Sequence, residues 1–291
     1  MGRVTVPPAG FAVVRFDGID STNREVAERA RTGAPAGLVV VADHQTAGRG
    51  RLGRSWSDEP GSSLLVSILL RPELEASALF VATAVVALAL SDACHACAGV
   101  RPALKWPNDL LLGDRKVAGV LSEVLWPPVS GGPGPAVVVG TGCNVTGGPP
   151  PGTAGTATTL EAASGRRVER DELLDAFLAG LAPRLVQLGS RDGLPAQLGE
   201  YRRRCATLGR RVAVEWPDGR KEVGLATGLA DDGRLVVTAD DGSCRAVAAA
   251  DVTHLHLLAP PDGRPEEPAR PPRRSAGSTP PARPPRRTGG G

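Results

Sequence analysis

The sequence predicts an α+β fold, in which a mixed, mostly antiparallel sheet with flanking helices is followed by a smaller β domain. In the longer first part of the chain, apolar strand-like runs are joined by hairpin turns and interrupted by helical runs. After Gly209 the pattern changes to short β segments, which are divided by Asp218-Gly219, Asp232-Gly233 and Asp241-Gly242. We therefore expect a large domain over residues 1–208, a small β-barrel over 209–258 and a tail over 259–291.

The elements of the large domain are predicted from apolar periodicity and turn signals. Strands are expected at 38–43, 62–69, 102–106, 110–112, 116–124 and 136–145, and helices at 22–32, 74–98, 171–188 and 194–206. In the last of these strands Gly140 and Gly142 fall on one face, where missing side chains would leave room for a ligand against the backbone. That face is the expected floor of a pocket.

The net charge of +3 is located in the tail. Residues 259–291 hold seven arginines, no lysine and three acidic residues, whereas the preceding part holds 27 basic and 28 acidic residues and nets −1. The tail has ten prolines and no aromatic residue, which predicts disorder. A near-neutral folded part with 3% aromatic residues disfavours a nucleic-acid-binding module, the alternative from a different functional class.

Neither membrane insertion nor export is expected. No apolar run reaches about 18 residues, and the apolar stretch at 79–90 is typical of a buried helix. The N-terminus lacks a signal-peptide pattern, and five cysteines without framework spacing fit a reducing compartment. The Cys94–Cys97 pair lacks two further ligands at matched spacing, so we expect packed thiols and no metal site. These observations predict a cytoplasmic protein.

The stretch Gly48–Trp56 places three arginines in a glycine-rich loop that ends on an indole. Glycines allow close approach to a ligand, and guanidinium groups bind phosphate oxygens in a fixed geometry. The stretch also matches the G-x-G-x-x-G dinucleotide fingerprint, which requires a helix that opens inside it. The polar, turn-rich residues 55–61 exclude such a helix. We therefore expect a loop that closes over an anion.

Two further clusters of polar residues carry the functional prediction. The segment from Lys105 to Asp109 runs into a predicted hairpin whose second strand starts at Lys116, so both lysines should lie close to Asp109. Upstream, Asp20–Asn23 stands directly before a helical run. These side chains are good N-caps, and the same geometry would let them bind a small polar ring.

The segments 21–23, 45–56, 105–109, 116–119 and 140–145 resemble, in order and spacing, those of the biotin protein ligases, enzymes that join biotin to a lysine of a carrier domain. The resemblance covers about residues 11–258. It implies a class II synthetase-like catalytic domain with an SH3-like C-terminal barrel that helps to bind ATP or the acceptor. About twenty residues precede Ser21, so we expect the form without an N-terminal DNA-binding domain and no DNA partner.

The resemblance also implies which residues bind the substrates. The biotin contacts would be Ser21, Thr22, Asn23, Gln45, Arg49, Gly50, Arg51, Lys116 and Gly119. The nucleotide contacts would be Arg51, Arg54, Trp56, Lys105, Asn108 and Asn144.

The implied reaction is ATP-dependent and has two steps. Biotin attacks the α-phosphorus of ATP to give biotinyl-5′-AMP, while Mg²⁺, Lys116, Arg49 and Arg51 offset the growing negative charge. A carrier lysine then attacks the acyl carbon, and Asp109 is the candidate base for its proton. The arginine loop would also act as a lid against hydrolysis. Trp56 would either cover the adenine or hold the closed loop.

The expected partner is the biotin carboxyl carrier domain of an acyl-CoA carboxylase, and the expected state is a monomer or a weak homodimer. Two alternatives share this chemistry in part. A lipoate-type ligase would use the same scaffold, and a non-enzymatic biotin-binding protein would use the same pocket. Loading with biotin or lipoate separates the first, and ATP–pyrophosphate exchange separates the second.

Overall fold

A seven-stranded mixed sheet forms the centre of the larger domain in the computed structural model, which describes residues 10–71, 79–125, 136–150, 152–216, 220–248, 254–257 and 289–290. Its strands are β1 (Ala12–Phe16), β2 (Leu38–Ala42), β3 (Ser63–Leu70), β4 (Ala103–Lys105), β5 (Asp109–Leu112), β6 (Arg115–Leu125) and β7 (Ala136–Asn144). The order across the sheet is β1-β2-β3-β7-β6-β5-β4. The β1–β2 pair is parallel and the other neighbours pair antiparallel, which confirms the mixed sheet.

Helices cover both faces of this sheet. They are α1 (Thr22–Arg31), α2 (Leu79–Ala98), α3 (Leu160–Ser164), α4 (Arg170–Leu188) and α5 (Gly193–Arg204). Alternate residues of β2 point to opposite faces, so Val39 packs in the core with α2 and α4, while Val40 packs against α1. The α1 layer is small and covers only part of its face.

Helix α2 is the central element of the second layer. It is long and apolar enough, by length and composition, to cross a membrane over Phe80–Ala98, but 72% of that stretch is buried inside the protein. It packs mainly against α4, β6 and α5. Its apolar composition is therefore explained by its position in the core, as the sequence predicts for 79–90.

An ionic network joins α5 to α2 and α4. The Arg184 guanidinium lies 2.5 Å from Asp92 and 2.8 Å from Glu200, and Arg204 contacts both carboxylates. Burial opposes ionisation of Asp92, but the hydrogen bonds and charges of Arg204 and Arg184 outweigh it and lower its pKa. The hydrogen bond from Arg184 likewise lowers the pKa of Glu200 against partial burial. The network fixes the helix that leads into the C-terminal sheet.

The C-terminal part contains a five-stranded antiparallel sheet. Its strands are β8 (Arg211–Glu215), β9 (Lys221–Leu229), β10 (Leu235–Ala239), β11 (Cys244–Val247) and β12 (His254–Leu257), in the order β11-β10-β9-β8-β12. Gly233 and Gly242 both have a φ of +83° in the turns that follow β9 and β10, as the predicted hairpins require. The turn predicted at Asp218-Gly219 lies outside the described residues.

The C-terminal sheet is anchored to the large sheet through Trp106. The buried indole donates from Nε1 to the carbonyl of Gly233 at 3.0 Å, and its backbone amide donates to Thr207 Oγ1 at 2.9 Å. Phe80 packs against the Trp106 ring at a centroid distance of 6.4 Å. Trp106 therefore holds the β4–β5 connection against the second sheet.

The predicted fold class is confirmed, and the six strands and four helices predicted for the large domain are present. The sequence prediction missed β1, a half-exposed edge strand, and α3, a helix of only five residues. The chain divides into residues 1–258 and residues 259–291, while the boundary at 208–209 stays a prediction. The predicted start of α2 at 74 and the predicted disorder of the tail concern segments that lie outside the described residues, apart from 289–290.

The five cysteines are free thiols. Cys94 is buried near the end of α2, where a hydrogen bond with Cys143 and burial raise the pKa of its thiol. Burial also raises the pKa of Cys97. Among the described residues, no group of three or more His, Cys, Asp or Glu side chains could hold a metal ion.

Candidate active site

Several predicted site residues lie opposite one another on four neighbouring strands, and together they form one row across the sheet. Lys105 in β4 lies opposite Asp109 in β5, Asp109 lies opposite Gly119 in β6, and Gly119 lies opposite Gly142 in β7. Residues directly opposite each other share one face of a sheet. The K-W-P-N-D segment is therefore placed beside the glycine floor by strand register, with Trp106–Asn108 as the connection between β4 and β5.

Lys116 and Asp109 form an ion pair at the edge of this row, with 2.6 Å between Nζ and Oδ1. The backbone of Lys116 is fixed separately, because its amide donates to Thr156 O at 2.8 Å and its carbonyl accepts from Thr158 at 2.9 Å. The predicted hairpin is confirmed, since β5 and β6 pair antiparallel around the Gly113-Asp114 turn. A lysine with a fixed backbone can move its ammonium group between Asp109 and a ligand without moving the strand.

The first residues of α1 form a buried polar cluster with Ser67 of β3, which pairs with Gly140 one row further along the same face of the sheet. Ser21 is the N-cap residue but makes no side-chain capping bond, so the simple capping interpretation is wrong for this position. Thr22 instead donates from its amide and its hydroxyl to Gln45 Oε1, at 2.8 and 3.0 Å. Ser67 Oγ lies 2.7 Å from Thr22 Oγ1 and 2.6 Å from Asn23 Oδ1. These groups offer hydrogen bonds within an otherwise apolar layer.

Gly140 allows this cluster to lie directly on the sheet. It is paired with Ser67 on one side and Leu121 on the other, and a Cβ atom at this position would overlap the side-chain amide of Asn23. Any residue larger than glycine would push Asn23 away from β7. The prediction that Gly140 and Gly142 form the pocket floor is confirmed.

The arginine loop folds back over the floor without forming a helix. Gly50 donates to Arg54 O at 2.7 Å and Trp56 donates to Gly48 O at 3.0 Å, so the loop is closed by its own backbone. Only a three-residue 3₁₀ turn, Arg51–Gly53, occurs in it. As the sequence predicts, no helix opens within this described stretch. Leu52 has a φ of 58°, a conformation that costs about 1 kcal/mol for a residue with a side chain.

Two arginines of the loop contact the sheet. Arg49 forms an ion pair with Glu123, with 2.9 Å between Nη2 and Oε1. Arg51 Nη1 donates to Asn108 Oδ1 at 3.4 Å. Partial burial lowers the pKa of Arg51, Asp109 opposes this effect and Arg54 adds to it. Its guanidinium is nevertheless charged at neutral pH, because the ordinary value is far above 7.

Trp56 lies on the glycine floor beneath the loop. A Cβ atom on Gly142 would stand 2.5 Å from Cε2 of its ring, and the ring also approaches Gly119. The Lys116 ammonium lies 5.6 Å from the ring centroid. Its indole Nε1 is buried and has no hydrogen-bond partner among the described residues.

These elements enclose one pocket with a cavity volume of about 170 Å³. Its lining includes five cationic side chains and a single carboxylate, so its charge favours an anionic ligand. The lining contains the predicted residues Ser21, Thr22, Asn23, Gln45, Arg49, Gly50, Arg51, Arg54, Trp56, Lys105, Asn108, Asp109, Lys116 and Gly119.

Asn144 is the exception among the predicted residues, because it lies outside the lining of this pocket. It is buried at the end of β7, where Nδ2 donates to Thr158 O at 3.1 Å. Its Oδ1 is buried and has no hydrogen-bond partner among the described residues. Through Thr158 it supports the segment that fixes the backbone of Lys116.

Three residues that support the site were not assigned a role from the sequence. Ser67 belongs to a continuous apolar strand, where a single small polar residue gives a weak signal. Trp106 lines the pocket and joins it to the second sheet. Glu123 faces the same side as Gly119 and Leu121, and this period of two along β6 was the signal that could have identified it.

Comparison with known proteins agrees with this geometry. The Biotin/lipoate A/B protein ligase family matches residues 16–144, and the Biotin protein ligase C terminal domain matches 207–255. A biotin–[acetyl-CoA-carboxylase] ligase from Mycobacterium tuberculosis is 36% identical over 240 residues, which are 81% of this chain and 86% of that protein. One from Paracoccus denitrificans is 34% identical over 242 residues, 80% of this chain and 96% of that protein.

A solved structure shows the same similarity. The biotin protein ligase from Aquifex aeolicus in complex with biotin and ATP matches with a TM-score of 0.72 and 27% identity. The match covers 84% of this chain and 99% of that chain. It therefore extends over both sheets described above.

Proposed function

This chain is an enzyme that belongs to the biotin protein ligase family, and we propose that it forms biotinyl-5′-AMP and transfers the biotinyl group to a lysine of a biotin carboxyl carrier domain. The observation that carries the proposal is the convergence of five cations and the α1 polar cluster on one glycine floor. The polar cluster fits a small ring with hydrogen-bonding groups, and the cations fit the phosphates.

In the first step the biotin carboxylate attacks the α-phosphorus of ATP and pyrophosphate leaves. Lys116, Arg49 and Arg51 would stabilise the charge that grows on the phosphoryl oxygens. Lys105 lines the same end of the pocket and would help to hold the nucleotide. No covalent nucleophile is required, because the carboxylate of biotin is itself the nucleophile.

Magnesium would enter this site with ATP. Mg²⁺ usually keeps several waters and binds through substrate phosphates together with one or two carboxylates. Asp109, the one carboxylate in the lining of the pocket, is paired with Lys116, so the ion would be held mainly by the phosphates and by water. When bound, the ion would neutralise charge on the phosphates.

The arginine loop would open for the substrates and close over the adenylate. A cavity of about 170 Å³ is smaller than the roughly 300–1,000 Å³ of sites that hold drug-sized ligands, but a second cavity of about 710 Å³ shares Arg49, Gly50 and Arg51 with it. The smaller cavity is contracted, because Trp56 occupies part of its floor. Movement of Trp56 would make room for the adenylate and give the indole N–H a partner.

In the second step the carrier lysine attacks the acyl carbon and AMP leaves. A free lysine is neutral in only about one molecule in 2,500 at pH 7, equivalent to about 4.6 kcal/mol, so a base is needed. Asp109 is our candidate, although Lys116 holds it at 2.6 Å in the contracted site. We propose that Lys116 turns to the phosphate when the adenylate forms, which releases Asp109 for the proton.

The test is reconstitution with biotin, MgATP and a biotin carboxyl carrier domain, followed by mass spectrometry of the carrier. One added biotinyl group per carrier, absent when the acceptor lysine is replaced, is expected. Parallel loading with lipoate tests the alternative of a lipoate-type ligase on the same scaffold. The match of residues 207–255 to the Biotin protein ligase C terminal domain disfavours that alternative. Lipoyl transfer without biotinyl transfer would overturn the proposal. We also propose a cytoplasmic location, no DNA partner and a monomeric or weakly dimeric state.

A further inference from the structure

Glu123 lies at the junction between the arginine loop and the polar cluster. One carboxylate oxygen pairs with Arg49 Nη2 at 2.9 Å, and the other accepts from Asn23 Nδ2 at 2.7 Å. The side chain is 27% exposed, so this is a partly buried pair. Glu123 lies outside the lining of the pocket that holds the five cations, and it lines a second cavity of about 710 Å³ that shares the arginine loop with that pocket. Both of its carboxylate oxygens are engaged by Arg49 and Asn23, so its contacts position groups of the pocket.

The contacts of Glu123 extend through the buried cluster. Asn23 Oδ1 is bound by Ser67, Ser67 also contacts Thr22, and Thr22 donates to Gln45. Gln45 precedes the loop and Arg49 lies inside it. A continuous polar chain thus ties Gln45, just before the loop, and Arg49, four residues later inside it, to the sheet.

We infer that Glu123 is a positioning residue, which orients Arg49 toward the activated ligand and keeps the loop closed over it. A guanidinium group has five N–H donors, so Arg49 can bind Glu123 with one edge and present other donors to a carboxyl or phosphate oxygen. Fixing Arg49 in advance reduces the entropy lost on closure. Only the expected change in the rate of adenylate release rests on the proposed function.

The test uses Glu123→Gln, which keeps the shape and an oxygen for Asn23 but removes the charge opposite Arg49. We expect the rate of adenylate release from the enzyme to rise about tenfold, the size of one charge-assisted hydrogen bond. Biotin affinity without ATP should change less than about twofold, because the α1 cluster is retained. An equal loss of biotin affinity would instead indicate a structural effect on the cluster and would overturn the inference.

A double variant separates a direct from an indirect effect. In the Arg49→Gln background, Glu123→Gln should produce no further increase in adenylate release, since its partner is already lost. Additive effects would contradict a role that acts through Arg49. Asp171→Asn, which breaks the exposed Arg15–Asp171 pair at 2.8 Å, is the matched control and should release adenylate at the wild-type rate.

A second measurement does not depend on activity. Trypsin can cut after Arg49, Arg51 and Arg54, and in the ligand-free protein Glu123→Gln should raise the initial cleavage rate in this loop about tenfold. Unchanged cleavage would overturn the inference. If the wild-type enzyme forms no adenylate, the proposed function fails, whereas the cleavage rate still decides the role of Glu123.

Discussion

Replacement of Gly142 by alanine would test whether the missing side chain at this position makes room for the indole of Trp56. Its φ is not positive, so the backbone accepts alanine and the effect comes from contact alone. The new Cβ would stand 2.5, 2.7 and 2.9 Å from Cε2, Cζ2 and Nε1 of the Trp56 ring. Ordinary contacts begin at about 3.4 Å, so the ring must move by roughly 0.5–0.9 Å or leave the floor.

The cost of this overpacking is about 1–3 kcal/mol. If the ring cannot leave, the free energy of unfolding falls by this amount, and the melting temperature drops by about 2–10 °C. Since the ring lies over a pocket, we expect the strain to be relieved by ring displacement, with a melting temperature within about 2 °C of wild type. The new Cβ then stands on the floor where the adenylate would lie, so the same 1–3 kcal/mol of overpacking appears in adenylate formation, as a decrease of about 5- to 150-fold.

ATP–pyrophosphate exchange measures the rate, and calorimetry measures the stability. Gly228→Ala is the matched control, because Gly228 also lies in a strand and a Cβ there meets no atom within 4 Å. Gly140→Ala should give the opposite pattern, with biotin affinity as the main loss, because its Cβ meets Asn23 and Ser67. Wild-type exchange by Gly142→Ala would refute a role of this floor in adenylate formation.

Three further outcomes are expected. Lys116→Ala should reduce adenylate formation by about 100- to 1,000-fold and weaken biotin binding less, measured by exchange and by calorimetric titration; equal losses would count against its phosphate role. Asp109→Asn should retain adenylate formation but slow transfer to the carrier by about 100-fold in single-turnover assays, and full-rate transfer would exclude it as the base. Asp92→Asn should cost about 2 kcal/mol of unfolding free energy at pH 7. Because its folded pKa lies below the ordinary 3.8, this contribution is present above about pH 4 and disappears as the pH falls through the folded value, so the two proteins should converge in melting temperature there.

Local sequence was sufficient for most of the secondary structure. Apolar runs bounded by turn residues predicted β2, β3 and β7, because strands buried on both faces are almost continuously apolar. Gly140 and Gly142 of β7 predicted the floor because alternate residues of a strand fall on one face. Strand β1 was missed because an edge strand buries little surface, and α3 because five residues hold less than one and a half helical turns.

The sequence by itself therefore determined the fold class and the glycine floor, because these depend on residue type and on periodicity within one segment, while the resemblance of its motifs to a known family implied most of the lining. The tertiary structure decided which groups pair. The predicted hairpin brought both Lys105 and Lys116 near Asp109, and the structure places Lys116 in the ion pair. The Arg49–Glu123 contact joins a loop to a strand 74 positions later. The place of Trp56 on Gly142 and the separation of Asn144 from the pocket depend on packing between segments, a long-range property that no local pattern encodes.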